Sequence, residues 1–481
     1  MNRNTLRRAA GAAAVVFWAA ATALAAGALA VQFRIRIANE WQQNALVAAA
    51  TAPSAHDRIV VFAPHSDDET LGCGGMLALA SMNQARVRVV LVTNGDGFRI
   101  AVGRAYKTIR VTPQQCIEFA YKRQRETLNA LATLGVSEDR IIFLGYPDRG
   151  IARLWERHWE SDNLYVSHAT GLDRSPYTNS YTRNAPHCGE SLLSDIVSIL
   201  REEKPTDIYI PHPSDNHADH YATYCFVMAA VEQLRAENAA FASGLRAHTY
   251  LVHRGDWPCP RGDYLEKPLS APYSLSRADT RWRSLQLPGD VAQAKRRAIK
   301  CYKTQTAIER TFLISFAREN ELFGSIPTHS VELVDDKTIA IDGETDDWAG
   351  IAPAAVHPVG DYVVADISKG GDVRAIYLCR DSRRLFIRID FAGKVSKRIA
   401  YLVNLRRLAA DGSDIYAVRL KPGTAPSPDE VTAASKGTVI EMAAPLSAIG
   451  PGDDLFVQVK TRLGRLTVDD TGWRGVGFSQ R

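Results

Sequence analysis

Five short runs constrain the fold more than any other feature of the chain: "RIVVFA" (58–63), "VRVVLVT" (87–93), "RIIFLG" (140–145), "DIYIP" (207–211) and "TYLVH" (249–253). Each is apolar, rich in β-branched residues and too short for a helix, the pattern of a strand covered on both faces. Between them, "GGMLALASMNQA", "EFAYKRQRETLNALATLG" and "ESLLSDIVSILREE" carry helical spacing. Repeated strand-helix-strand units demand a mainly parallel sheet with helices on both faces, a Rossmann-like α/β fold. Chemistry in such sheets gathers at the carboxyl ends of the strands.

At 481 residues the chain is long enough for two to four domains. From about Val331 the helical patterns fade. "RRLFIRIDF" places Leu385, Ile387, Ile389 and Phe391 on one face and Phe386, Arg388 and Asp390 on the other, and "DIYAVRL" and "DDLFVQVK" repeat the period of two. This predicts a separate all-β sandwich, with "GSIPTHS" (Gly324 to Ser330) as the candidate linker. At the other end, Ala9 to Phe33 carries no charge and lies between Arg7 and Arg8 on one side and Arg34 and Arg36 on the other. It is long enough to span a bilayer, which takes about 20 apolar residues. An uncleaved N-terminal transmembrane helix is therefore expected, with a cleaved signal peptide ending near Ala30 as the alternative. The excess of arginine before the segment places the rest of the chain outside the cytoplasm, periplasmic or at the cell surface, or secreted if the segment is cleaved. The expected division is an anchor or signal segment over 1–36, a tether over 37–56, the α/β domain over 57–325, a linker over 326–338 and the sandwich over 339–481.

Composition narrows the function. With 46% hydrophobic and 23% charged residues the chain is an ordinary folded protein, and a net charge of +5 without a basic run gives no footprint for nucleic acid. The seven cysteines form no C-x-x-C pair, and a bridge such as Cys116 to Cys188 is compatible with their number.

Two clusters stand at strand ends: "HSDDE" (His65 to Glu69) after the first strand and "HPSDNHADH" (His212 to His220) after "DIYIP". Together such patterns arise by accident in about one chain of this size in twenty. Gathering desolvated carboxylates is costly without a cation, and a metal removes that cost. Catalytic zinc takes nitrogen and carboxylate oxygen from three protein side chains, so His65, Asp68 and His220 are the natural trio. Asp67 and His217 then stand beside the metal unbound. They supply one carboxylate to take a proton from the attacking water and one imidazole to act on the other side of a carbonyl.

These motifs resemble the PIG-L/LmbE family of zinc-dependent N-acetylglucosaminyl deacetylases, whose signature (A/P)-H-P-D-D-E followed by H-P-D-H appears here as "PHSDDE" and "HADH". "RQRE" (Arg123 to Glu126), "LGYPD" ending at Asp148 and "KRRAIKCYKTQ" from Lys295 follow in the family's order, over roughly residues 56 to 325. The resemblance implies zinc, or another divalent cation, on His65, Asp68 and His220, with Asp67 as general base. It implies a protonated His217 that stabilises the oxyanion, with Asp219 raising its basicity. It also implies Arg123, Asp148 and Asp215 as residues that bind substrate. Ser66 and Ala218 replace the two prolines of the signature and remove no ligand. Glu69 is expected either to hold a histidine beside the metal or to cap a helix. The region from "IDGETDDWAG" (Ile341 to Gly350) resembles carbohydrate-binding modules of family nine, with Trp473 or Phe386 as candidate stacking surfaces if exposed and Trp348 as core. The function expected is removal of N-acetyl groups from amino sugars of a glycan or glycoconjugate. Alternatives are a deacylase of another N-acyl substrate and a catalytically silent glycan-binding surface protein.

Overall fold

The computed structural model describes residues 47–255, 257–275, 278–360, 368–408, 415–450 and 454–478. The expected anchor over 1–36 lies outside the described residues, among which no helix is long and apolar enough to cross a membrane.

The first half is built on an eight-stranded sheet: β1 (Ala48–Ala49), β2 (Arg58–Ala63), β3 (Arg86–Thr93), β4 (Ile141–Tyr146), β5 (Asp207–Pro211), β6 (Arg246–Tyr250), β7 (Arg281–Gln286) and β8 (Asn320–Ser325), in the order β1-β7-β8-β6-β5-β2-β3-β4. Every pairing is parallel except those of β8 with β6 and β7. The unbroken apolar character of β2 has a simple origin. Ile59, Val61 and Ala63 enter one core while Val60 and Phe62 enter the other. Helices α1 (Asp68–Met82), α2 (Arg99–Tyr106), α3 (Pro113–Thr133), α4 (Ile151–Glu156), α5 (Gly189–Glu203), α6 (Ala218–Ala236), α7 (Gly289–Ile299) and α8 (Lys303–Ile314) connect the strands. Residues of α1 and α7 pack with the odd-numbered side of β2, and those of α4, α5 and α6 with the even-numbered side. Because the chain leaves β2 toward one face and β5 toward the other, a crevice opens where these neighbouring strands end.

The strand expected over 249–253 lies three residues earlier, at Arg246–Tyr250. The apolar run continues through Leu251 and Val252, but the N–H groups of Val252 and His253 bond to the Asp215 carboxylate at 3.1 and 3.0 Å instead of to a neighbouring strand. Hydrogen bonding, not hydrophobicity, ends the strand.

The C-terminal region is two sheets packed face to face. One has the order β10-β11-β12-β16-β15 (Pro353–Val356, Val373–Arg380, Arg384–Phe391, Val439–Pro445, Thr432–Lys436), and β9 (Glu332–Leu333) pairs with β11. The other has the order β14-β13-β17-β18 (Ile415–Leu420, Ile399–Arg407, Asp454–Leu463, Leu466–Asp470), and β19 (Arg474–Gly477) pairs with β17. Leu385, Ile387, Ile389 and Phe391 face Tyr401, Val403 and Leu405 in their common core. The "IDGETDDW" segment is a structural clasp. Glu441 accepts hydrogen bonds from the N–H of Gly343 at 2.7 Å and from the Trp348 indole at 2.7 Å. Trp348 is core, and the two side chains considered as sugar platforms are also buried: Phe386 lies beneath Trp348 and Trp473 packs against the α/β half. Both are thereby excluded as exposed stacking surfaces. Cys116 and Cys188, the two considered for a bridge, are both free thiols.

Candidate active site

The strained start of α1 places the first motif. Asp67 is the N-cap residue of that helix, with φ 125° and ψ −31°, in the left-handed region that residues with a Cβ rarely adopt. Its carboxylate makes no capping bond and instead lines a cavity of about 160 Å³. His65, Asp68, Arg123, Asp148, His217 and His253 share that wall.

Asp68 is the hub. Its Oδ2 accepts from the N–H of His65 at 3.0 Å and lies 3.1 Å from His65 Nδ1 and 3.0 Å from His220 Nε2. Each imidazole is held on its other side by carboxylates. His65 Nε2 is 3.3 Å from Asp219 and 3.4 Å from Asp148, and His220 Nδ1 is 3.1 Å from Asp215. Carboxylates behind histidines orient the ring and raise its basicity for a metal. The fit to a divalent cation rests on one atom above all. His220 Nε2 is fully buried beside Asp68 without hydrogen-bond geometry, an orphaned ring nitrogen facing a carboxylate oxygen. Among the described residues, three groups bring ligand atoms within 4.8 Å of one another: His65, His217 and His220; Asp68, His220 and His253; and His65, Asp148 and Asp219. The expected trio is shared between the first two groups. The third is the carboxylate support behind His65.

The electrostatics agree with a site that needs positive charge. Burial lowers His220, but Asp215 and Asp68 outweigh it and hold the imidazole at about 9. Burial likewise opposes a charged His65, and its bonds to Asp148, Asp219 and Asp68 win and hold it well above 6.5. Burial raises the Asp67 carboxyl well above the usual range, against the pull of the Arg123 guanidinium. A divalent ion would displace the protons from the imidazoles, so its binding releases protons.

Two expectations are corrected here. The Asp219 carboxylate does not reach His217; it takes the N–H groups of Arg149 at 2.6 Å and Ile151 at 3.1 Å and turns to His65. His217 meets Asp219 only through that residue's backbone N–H, which donates to His217 Nδ1 at 3.3 Å. Burial first, and then repulsion from His65 and His220, push His217 down to about 4. Asp215 is also displaced from its expected role. It is buried, its carboxylate is occupied by His220 and by the N–H groups of His217, Val252 and His253, and it does not line the cavity. Arg123 and Asp148 do line it. Arg123 donates to Ser66 O at 2.5 Å and Gly95 O at 3.3 Å and lies 3.4 Å from Asp67. Asp148 accepts from the N–H of Gly97 at 2.8 Å.

Sequence reasoning missed the wall opposite the metal motif, formed by Phe98 and by Gln305, Glu309, Phe312 and Leu313 from α8. The "KRRAIKCYKTQ" segment was its only signal, since it ends on Gln305. The two walls meet where His253 stacks on Phe312 with ring centroids 5.6 Å apart.

Residues 60–231 match the family described as PIG-L: GlcNAc-PI de-N-acetylase. A putative glucosamine-6-phosphate deaminase-like protein of Bacteroides thetaiotaomicron is 25% identical over 254 residues, 47% of this chain and 37% of its own length. A 1D-myo-inositol 2-acetamido-2-deoxy-alpha-D-glucopyranoside deacetylase of Mycobacterium sp. (strain KMS) is 29% identical over 182 residues, 37% of this chain and 50% of its own. The chain thus spans half or less of the length of these curated relatives. Among solved structures, N,N'-diacetylchitobiose deacetylase from Pyrococcus horikoshii is similar at 18% identity and a TM-score of 0.34, covering 56% of this chain and 83% of that one. Within the α/β half, residues 60–231 are thus similar to the PIG-L family, and deacetylases are among the proteins this chain resembles.

Proposed function

We propose that the protein is a metal-dependent hydrolase that removes N-acetyl groups from amino sugars of the N-acetylglucosamine type, carried on a glycan or glycoconjugate. The observation that carries this reading is the placement of Asp68 between two imidazoles, each backed by a carboxylate, with the Asp67 carboxylate, 3.4 Å from Arg123, on the adjoining cavity wall. His65, Asp68 and His220 would hold zinc or another divalent cation, which when bound supplies Lewis acidity to the water and the acetamide carbonyl. Asp67 accepts the proton of the attacking water as the C–O bond forms. His217 donates its Nε2–H to the oxyanion, a contribution of about 3–4 kcal/mol to the barrier in comparable sites. The C–N bond then breaks, Asp67 returns the proton to the departing nitrogen, and acetate and a free amine leave. Arg123, beside Asp67, and Asp148 face the same cavity and supply polar contacts to the sugar.

The N-terminal apolar segment would tether this activity outside the cytoplasm, and a reporter fused after Arg481 should be active only there. For the chemistry, the purified chain is loaded with zinc and acetate release is measured from N-acetylated mono- and oligosaccharides. Asp67→Asn should lower turnover by about 10²–10⁴ while the metal stays bound. Stoichiometric metal with no acetate from any substrate, together with no effect of Asp67→Asn in cells, would overturn the enzyme reading.

A further inference from the structure

We infer that Tyr302 is a positioning residue for Asp67, acting through Glu69; the inference rests on the reading of Asp67 as the general base. Asp67 occupies a backbone conformation that an aspartate does not adopt without support, at φ 125°. The support is visible. Glu69 Oε2 accepts the N–H of Asp67 at 3.1 Å, and its Oε1 accepts the Thr70 hydroxyl at 3.0 Å and the Tyr302 hydroxyl. Tyr302 and Thr70 share a further contact at 2.9 Å. Glu69, Thr70 and Tyr302 are fully buried, and none of them lines the cavity.

The arrangement reverses ordinary helix capping. An N-cap aspartate usually spends its carboxylate on the first amides of the helix. Here the glutamate two residues on, one short of the capping-box position, reaches back to the N-cap N–H, while the Asp67 carboxylate makes no cap bond and is left to face Arg123 and the cavity. Tyr302 immediately precedes α8, which carries Gln305, Phe312 and Leu313 into the same cavity. The hydroxyl therefore ties the base to the element that forms the opposite wall. Without that donor, Oε1 of Glu69 is held only by the Thr70 hydroxyl, and the Asp67 backbone can relax toward an ordinary helix start that swings its carboxylate into the capping position.

Tyr302→Phe keeps the ring and removes the donor. In the zinc-loaded full chain it should lower kcat at least tenfold, with KM and bound metal within twofold of the parent. In the Asp67→Asn background the same change should have no further effect on the residual rate, since its action passes through Asp67. An equal fold-loss in both backgrounds, or no loss in the parent, overturns the inference. If Tyr302→Phe fails to fold, Glu69→Gln carries the same cycle with the same two outcomes. A parent whose rate is untouched by Asp67→Asn removes the base assignment itself, an outcome read separately from the Tyr302 effect.

Discussion

The Asp219 carboxylate takes two peptide N–H groups and turns to one imidazole, and that imidazole is His65. The spacing "HADH" could not reveal this. Four consecutive residues at a helix start project in different directions, and which histidine a carboxylate meets depends on the loop after β4 that supplies the N–H groups of Arg149 and Ile151. The types of residue were legible because only a cation justifies so many buried acids; their pairing was not, because it is made by backbone more than fifty residues away. The pairing has a measurable consequence. Asp219→Asn should weaken zinc binding about 10–100-fold in a chelator competition. Had its partner been His217, affinity would stay and only the rate of the loaded enzyme would fall.

At the scale of elements, β2 to β5 were readable almost to the residue, since strands covered on both faces need apolar side chains at every position. Strands β7 and β8 were not, because "RWRSLQ" alternates weakly and β8 runs against its neighbours. The glycines of "LGCGG" (Leu71 to Gly75) permit close approach, and the contacts show what approaches. A Cβ on Gly72 would lie 2.3 Å from Tyr250 Cδ2, and one on Gly75 would lie 2.4 Å from Leu287 Cδ1. Tyr250 has no room to yield. It is fully buried and its hydroxyl donates to Phe62 O at 2.8 Å, which fixes the ring against the end of β2. Gly72→Ala should therefore destabilise the protein by about 1–3 kcal/mol in urea unfolding. Because α1 begins at the metal motif, bound zinc should recover part of the loss. A stability equal to the parent's would show that α1 shifts freely.

At the scale of the whole molecule, acid sensitivity has an identifiable contributor that does not line the candidate site. Burial pushes His187 down to about 4, from 6.5 in the unfolded chain. The folded value is the lower one, so the unfolded state takes up the proton first, and stability falls as pH drops from about 6.5 to about 4 and then levels. The full effect is at most roughly 3 kcal/mol. His187→Phe should flatten the stability-pH curve across that interval and leave the slope above pH 7 unchanged.

The chain's division into an α/β half and a β half was legible from the change of period, but not how firmly the halves are joined, since an interface leaves no periodic signal. Phe456 and Trp473 of the sandwich lie in the same apolar cluster as Trp155, Trp159 and Phe226. Lys460 reaches Glu156 at 3.1 Å, and Glu156 also accepts the Tyr221 hydroxyl at 3.0 Å, one residue after His220. Arg406 is the centre of the contact. It is buried, its guanidinium lies 4.4 Å from the ring centre of Trp159 and 4.9 Å from that of Trp155, and it donates to the Trp155 carbonyl. Helix α4 ends at Glu156, so this carbonyl is one of the terminal acceptors that a helix leaves unpaired. Arg406→Met keeps the stem but removes the donor and the cation over the rings, at a cost of about 2–4 kcal/mol. The test is which half loses it. Helical ellipticity at 222 nm reports the α/β half, where the helices concentrate, although Arg406 is on a strand of the sandwich. Coupled halves require the 222 nm midpoint in urea to fall with the substitution, together with the tryptophan fluorescence transition. A 222 nm transition that stays in place would mean that the two halves unfold independently and that the sandwich lends no stability to the domain carrying the site.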